Sequence, residues 1–168
     1  YKKTYESILK DTIIVDSPDS YRKKENVSEE EHAEQMFNKM YKALKDNHRN
    51  VCAVIVEPLI HCAGYMRMYH HKYLELLREA CTKFNVHLIA DEIAVGFGRT
   101  GTMFGFEQAK ITPDIICLSK GITGGYMTLS TILTTDDIYD AFYDEYEKLN
   151  AFLHSHSYTA NPLSLIHI

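Results

Sequence analysis

Three short apolar runs, each stopping at a chargeable residue, constrain this chain more than any other feature. "VCAVIV" (Val51–Val56) stops at Glu57-Pro58, "VHLIA" (Val86–Ala90) at Asp91-Glu92, and "DIICL" (Asp114–Leu118) at Ser119-Lys120-Gly121. Runs this short and this rich in β-branched residues have strand length, not helix length. Their near-continuous hydrophobicity is that of strands buried on both faces, as in parallel sheets. Pro58 cannot donate to a ladder and ends the first run. The intervening segments have helical period. Ala33, Met36, Phe37, Met40, Tyr41 and Leu44 form one apolar stripe, and Ser28 with Glu31 matches a capping box at its start. Tyr73, Leu74, Leu77, Ala80, Cys81 and Phe84 form a second stripe. A fourth strand is predicted at "TLSTILT" (Thr128–Thr134). A third helix is predicted from Asp136 and Asp137 through Ile138, Tyr139, Phe142 and Tyr146, with Tyr143 and Tyr146 on its packed face. Residues 1–27 are polar and irregular apart from Thr12–Val15. Strands alternating with helices predict an α/β layered domain with a mostly parallel sheet.

Ligands of such sheets bind beyond the carboxyl ends of the strands. The polar groups expected there are Glu57, Asp91, Glu92 and Lys120. A lone lysine or aspartate in a loop reads as a solvated charge. The combination reads differently. A lysine at a strand end, followed by glycine, can sit partly desolvated, as an amine needs in order to react with a carbonyl. A carboxylate at the same edge can hold a pyridine nitrogen protonated, which makes the ring an electron sink, the task of pyridoxal phosphate. Two adjacent carboxylates on one buried edge repel, so Asp91 and Glu92 are expected to point apart, with Glu92 a structural hydrogen-bonding group. Gly96, Gly98 and Gly101 read as turn residues: "GFG" opens no helix and is no dinucleotide fingerprint. Arg99 is a surface residue by default, and only its loop context raises it to a candidate.

Composition narrows the function classes. In 168 residues, 24% are charged and the net charge is −5, and the basic residues form no stripe, which argues against nucleic acid or an anionic membrane surface as partner. No apolar run reaches membrane-span length and no signal-peptide pattern is present. Cys52, Cys62, Cys81 and Cys117 form no CxxC pair and read as buried free thiols of a cytoplasmic protein. His154 and His156 have no third ligand at useful spacing, so no metal is expected. His70-His71 reads as a solvated helix start.

The blocks "VIVEP", "LIADEIAVGFGRTG", "PDIICLSKGITGGYMTLS" and "HSHSYTANP", in this order between Val51 and Leu163, resemble the class III (ω) aminotransferases, fold-type I pyridoxal-phosphate enzymes. "AGYMRMYH" and "GGYMTLS" are similar to the biotin-synthesis subfamily, whose amino donor is S-adenosylmethionine. The resemblance implies a three-layer large domain with helices on both faces of the sheet, and a homodimer with a shared active site. It implies a small-molecule amino donor and a keto acceptor. Pyridoxal 5'-phosphate would be held covalently by Lys120, with Asp91 paired to its ring nitrogen and Ile93 beneath the ring. Arg99, Ser155 and Glu57 would face the substrate. His156 and Ser157, from the second subunit, would meet the cofactor phosphate. The family usually has threonine at the position of Ser157, and serine keeps the hydroxyl. It often has Gly-Pro at Ser155-His156, so the local turn is expected to differ.

The family's upstream phosphate loop, its ring-stacking aromatic and its downstream small domain, with an arginine for the substrate carboxylate, find no match here. With no initiator Met, "YKKTYESILKD" reads as the interior of a longer protein. Residues 1–163 are therefore expected to be a partial large domain, inactive and poorly stable alone. Residues 164–168, within "LSLIHI", read as a non-native tail resembling a translated sequencing adaptor. Other members of the class, acting on ornithine, acetylornithine, γ-aminobutyrate or diamines, share the same lysine and aspartate. A non-catalytic remnant of the fold would be marked by loss of Lys120 or Asp91, and both are present.

Overall fold

The computed structural model describes residues 11–151. In chain order the elements are α1 (Glu29–Asn47), β1 (Ala53–Val56), β2 (Ile60–His61), β3 (Arg67–Met68), α2 (Lys72–Phe84), β4 (His87–Asp91), β5 (Ile115–Leu118), β6 (Thr131–Thr134) and the short α3 (Asp136–Asp140). The main sheet has the order β1-β4-β5-β6, and β2 with β3 forms a small separate hairpin. β1 and β4 are parallel, with Ile55 opposite Ile89. β4 and β5 are parallel, with Asp91 opposite Cys117. β6 returns antiparallel to β5. The predicted α/β class and mostly parallel sheet are observed, and each strand is shorter at its start than its apolar run.

Local chemistry sets the helix ends. The Ser28 hydroxyl accepts from the Glu31 backbone N–H at 3.1 Å, and three glutamates occupy the first turn of α1 at the positive end of its dipole. The Glu31 carboxylate accepts from Gln35 Nε2 and does not close the capping box. α2 stops at Asn85, which takes the left-handed conformation with φ 54°. At its start His71 Nδ1 lies 2.9 Å from Glu75, and the Lys72 backbone N–H donates to His70 Nδ1. This pair of histidines is half-buried and bonded, which corrects the expected solvated start.

α1 and α2 pack on each other through Ala33, Phe37 and Leu44 on one side and Tyr73, Leu74, Leu77, Ala80 and Cys81 on the other, above Val86 and Leu88. Phe37 and Tyr73 meet edge to face, centroids 5.6 Å apart. Each large side chain buried here contributes about 1.5–3 kcal/mol. Alternation along β4 buries Leu88 and Ala90. By register, Ile55, Ile89, Ile115, Cys117 and Ile132 share the opposite face with Asp91. Ile55 and Ile132 are each 64% exposed. A second helical layer over that face is not found among the described residues.

Two further expectations are corrected. The third helix ends at Asp140, and all of residues 141–151 are exposed, Tyr143 and Tyr146 included: the apolar period there has no surface to bury against. Of the four thiols only Cys81 is buried, which pushes it up to about 11; Cys62 and Cys117 are half-buried and Cys52 is exposed. All four are free of disulfides. No helix among the described residues is long and apolar enough to cross a membrane, and no group of three His, Cys, Asp or Glu side chains could hold a metal ion.

One clamp ties the layers together. Asp114 Oδ2 accepts from the Leu88 backbone N–H at 2.6 Å and from Arg78 Nη1 at 2.8 Å, while the Asp114 N–H donates to Leu88 O. It thus joins the starts of β4 and β5 to α2. Burial alone would raise this carboxyl, but the Leu88 N–H and the Arg78 guanidinium outweigh it and hold it below the ordinary carboxylate value. A depressed carboxyl contributes stability above the unfolded pKa and loses it as pH falls through the folded one. In the complete polypeptide, Asp114→Asn should therefore cost about 2 kcal/mol at neutral pH. Thermal scans should show a lower midpoint at pH 7, with the gap to wild type closing as the pH drops below the carboxylate range.

Candidate active site

Because β1, β4 and β5 are parallel neighbours, the groups that follow them fall in a row along one end of the sheet: Glu57, Asp91 and Lys120. Asp91 is the last residue of β4, on the open face beside Cys117. Its Oδ1 accepts from the Ile93 backbone N–H at 3.1 Å, an Asx turn that fixes the carboxylate. Oδ2 has no donor among the described residues. Burial, and then the Asp91 charge, push the Cys117 thiol up.

Lys120 opens a 3₁₀ turn, Lys120–Thr123, with φ +43°. A non-glycine residue in this left-handed region is held at a cost of about 1–3 kcal/mol. Flanking bonds impose it: the Ser119 hydroxyl donates to Leu129 O at 2.8 Å, and the Gly125 N–H donates to Lys120 O at 3.2 Å. The Lys120 side chain is exposed and has no hydrogen bond or ion pair among the described residues.

Glu92 faces away from Asp91 and is wholly buried. Its Oε2 accepts from the Gly105 N–H and its Oε1 from the Phe106 N–H, each at 3.0 Å. Burial pushes this carboxyl up, and the two N–H groups oppose that shift. The bonds close the loop that carries Arg99, which is exposed. Gly98 and Gly101 turn that loop with φ of +91° and +96°, a region that suits glycine.

Cys62 is the site residue that sequence reasoning missed. Its backbone N–H donates to Glu57 Oε2 at 2.5 Å. Burial raises its thiol most, Glu57 and Asp91 raise it further, and Lys120 and Arg99 lower it. Charged residues from three separate motifs thus lie within electrostatic reach of this one thiol. No motif marks Cys62; its only signal is its place five residues after Glu57. Ser155, His156 and Ser157 lie outside the described residues. A groove of about 860 Å³ runs along β1 and α1 between Val15, Met40, Leu44 and Tyr73, with Glu57 and His61 also in its lining. Chemistry, not cavity size, locates the site.

The signs of these influences give a test. In the complete polypeptide freed of cofactor, Lys120→Ala should slow alkylation of Cys62 at fixed pH, and Glu57→Gln should speed it. Peptide mass spectrometry against the exposed Cys52 as internal reference reads both rates. Equal rates in all three proteins would separate Cys62 from the charged row.

A profile described as aminotransferase class-III matches residues 1–167. The chain is 45% identical over 164 residues to the adenosylmethionine-8-amino-7-oxononanoate aminotransferase of Helicobacter pylori, covering 98% of this chain and 36% of that protein. It is 38% identical to the enzyme of the same name from Nitratidesulfovibrio vulgaris, covering 95% and 30%. Among solved structures, that of the same-named aminotransferase from Methanocaldococcus jannaschii superposes with TM-score 0.83 at 33% identity, covering 97% of this chain and 35% of that one. An (S)-enantioselective omega-transaminase from Thermomicrobium roseum gives TM-score 0.81 at 28% identity, covering 98% and 37%. The chain thus spans about a third of the length of the curated relatives it matches. With the profile covering almost every residue, this chain belongs to the class III aminotransferase family.

Proposed function

We propose that the complete polypeptide is a pyridoxal 5'-phosphate-dependent aminotransferase of biotin biosynthesis. It would transfer the amino group of S-adenosylmethionine to 8-amino-7-oxononanoate and yield 7,8-diaminononanoate. The observation that carries this reading is the adjacency of Lys120 and Asp91 at the ends of neighbouring parallel strands, one with a free amine and the other with an unfilled Oδ2. A carbonyl-bearing cofactor with a basic ring nitrogen fits that donor set. The names of the relatives supply the substrate pair.

When bound, the cofactor would supply an aldehyde that captures amines and a ring that accepts the electron pair left by a broken C–H bond. Lys120 Nζ would hold the cofactor between turnovers, give way to the amino donor, and then move the proton. Asp91, steadied by the Ile93 N–H, would keep a proton on the ring nitrogen. Ile93 would pack beneath the ring. Arg99, exposed on its glycine-turned loop, would meet the substrate, and Glu57 would form a polar wall. Ser155 would face the substrate, and His156 and Ser157 of a second subunit would meet the phosphate of a cytoplasmic homodimer.

Lys120→Ala should lower turnover by at least about 10²- to 10⁴-fold, the share of positioned proton transfer alone. It should also remove the absorbance of lysine-linked cofactor. Near-normal turnover in that variant would defeat the assignment. The solved omega-transaminases favour a second reading, another amine donor of the same class. Assaying the complete enzyme with S-adenosylmethionine against donors coupled to 2-oxoglutarate decides between them.

A further inference from the structure

The turn that carries Lys120 is held from outside β5. Phe97 lies in the loop between Glu92 and Gly105, itself left-handed with φ +62°. A Cβ built on Gly121, the residue after Lys120, would stand 2.8 Å from Phe97 Cδ2, 3.0 Å from its Cβ and 3.1 Å from its Cγ. The ring therefore rests directly on the Gly121 backbone, and only glycine fits beneath it. Phe97 is in turn held edge to face by Phe104, centroids 5.8 Å apart, and Phe104 stacks on Phe106 at 5.6 Å.

Phe106 leads to the buried carboxylate. Its N–H and that of Gly105 are the two donors to Glu92. Gly105 also sits against Pro58, where a Cβ would be 3.1 Å from the Pro58 Cβ, so the same anchor reaches the end of β1. Glu92 itself follows Asp91 directly, and its N–H donates to Cys117 O on β5. A continuous chain of contacts thus runs from the end of β4 through Glu92, the three phenylalanines and Gly121 to Lys120.

We propose that Phe97 and Glu92 are positioning residues for Lys120: Glu92 holds the loop closed, and the Phe97 ring on Gly121 fixes the left-handed turn from which the lysine side chain departs. This rests on the reading of Lys120 as the cofactor-bearing lysine. A chain placed this way confines the amine to one approach toward whatever Asp91 holds. Misplacement by about 1 Å is enough to cost on the order of a hundredfold in rate.

The test uses the complete, cofactor-loaded enzyme. Gly121→Ala should lower kcat by about 10- to 100-fold with KM for the amino donor within about threefold, and should shift the pH midpoint of the lysine-linked absorbance band. Phe97→Ala should produce the same pattern. Adding Gly121→Ala to Phe97→Gly should cost at most about threefold more than Phe97→Gly alone, because every Phe97 side-chain atom in its way is gone and the two changes act on one contact. Glu92→Gln, which keeps the shape but turns an N–H₂ toward an N–H donor, should shift the same band. If the absorbance midpoint and kcat stay at wild-type values in Gly121→Ala and Phe97→Ala, or if the two effects multiply independently in the double variant, the positioning role is overturned. Borohydride reduction of the wild-type enzyme with peptide mapping tests the underlying reading by itself. An unlabelled Lys120 overturns both, whereas a labelled Lys120 with unaffected variants overturns only the role of Phe97 and Glu92.

Discussion

The parallel pairing of β4 with β1 and β5 is the constraint on which the rest depends. Parallel neighbours end on the same side, so three residues far apart in sequence, Glu57, Asp91 and Lys120, are brought to one edge. An antiparallel neighbour would have sent one of them to the far end of the sheet. β6 is that case: it runs back along β5 and contributes no strand-end charge to the row. The Asp114 clamp protects the arrangement from below, since it fixes where β4 and β5 start and hence where they finish.

The two carboxylates that end β4 illustrate how environment separates identical chemistry. Asp91 keeps one oxygen free at the sheet end, and its other oxygen is used only to steady its own turn. Glu92, one residue on, is wholly enclosed and spends both oxygens on backbone N–H groups of a returning loop. Burying a carboxylate is costly unless its lone pairs are met, and two N–H donors meet them. Pointing the pair to opposite sides lessens their repulsion, although the Asp91 charge still adds to the upward push on the Glu92 carboxyl.

The parts of this architecture that rest on periodicity were legible in the sequence. The stripes of α1 and α2, the strand status of three apolar runs and the charges beyond them follow from local patterns. What was not legible depends on partners distant in the chain. Cys62 carries no motif, and its place emerges only when Glu57 turns back to its N–H. The exposure of Tyr143 and Tyr146 overturns a reasonable apolar period, because a period specifies a face and cannot supply the surface that would bury it. The left-handed φ of Lys120 and Phe97 was equally hidden, since neither residue type favours that region; at Lys120 it goes with the bonds of Ser119 and Gly125 and with the Phe97 ring on Gly121, all contacts with residues that no local pattern pairs.

The open side of the sheet and the open side of the site have one explanation. Asp91 lies on the same face as Ile55 and Ile132, two large apolar side chains left mostly exposed on β1 and β6, the outer strands of the sheet. A strand of a parallel sheet is built for cover on both faces, and leaving such residues in water forgoes stabilisation of about 25 cal/mol per Å². The chain matches relatives roughly three times its length, so polypeptide enough to cover that face exists in proteins of this family. Whatever covers it approaches Asp91 as well, which makes packing and site assembly a single event. The strand-end row of Glu57, Asp91 and Lys120 is then the part that the sheet fixes by itself.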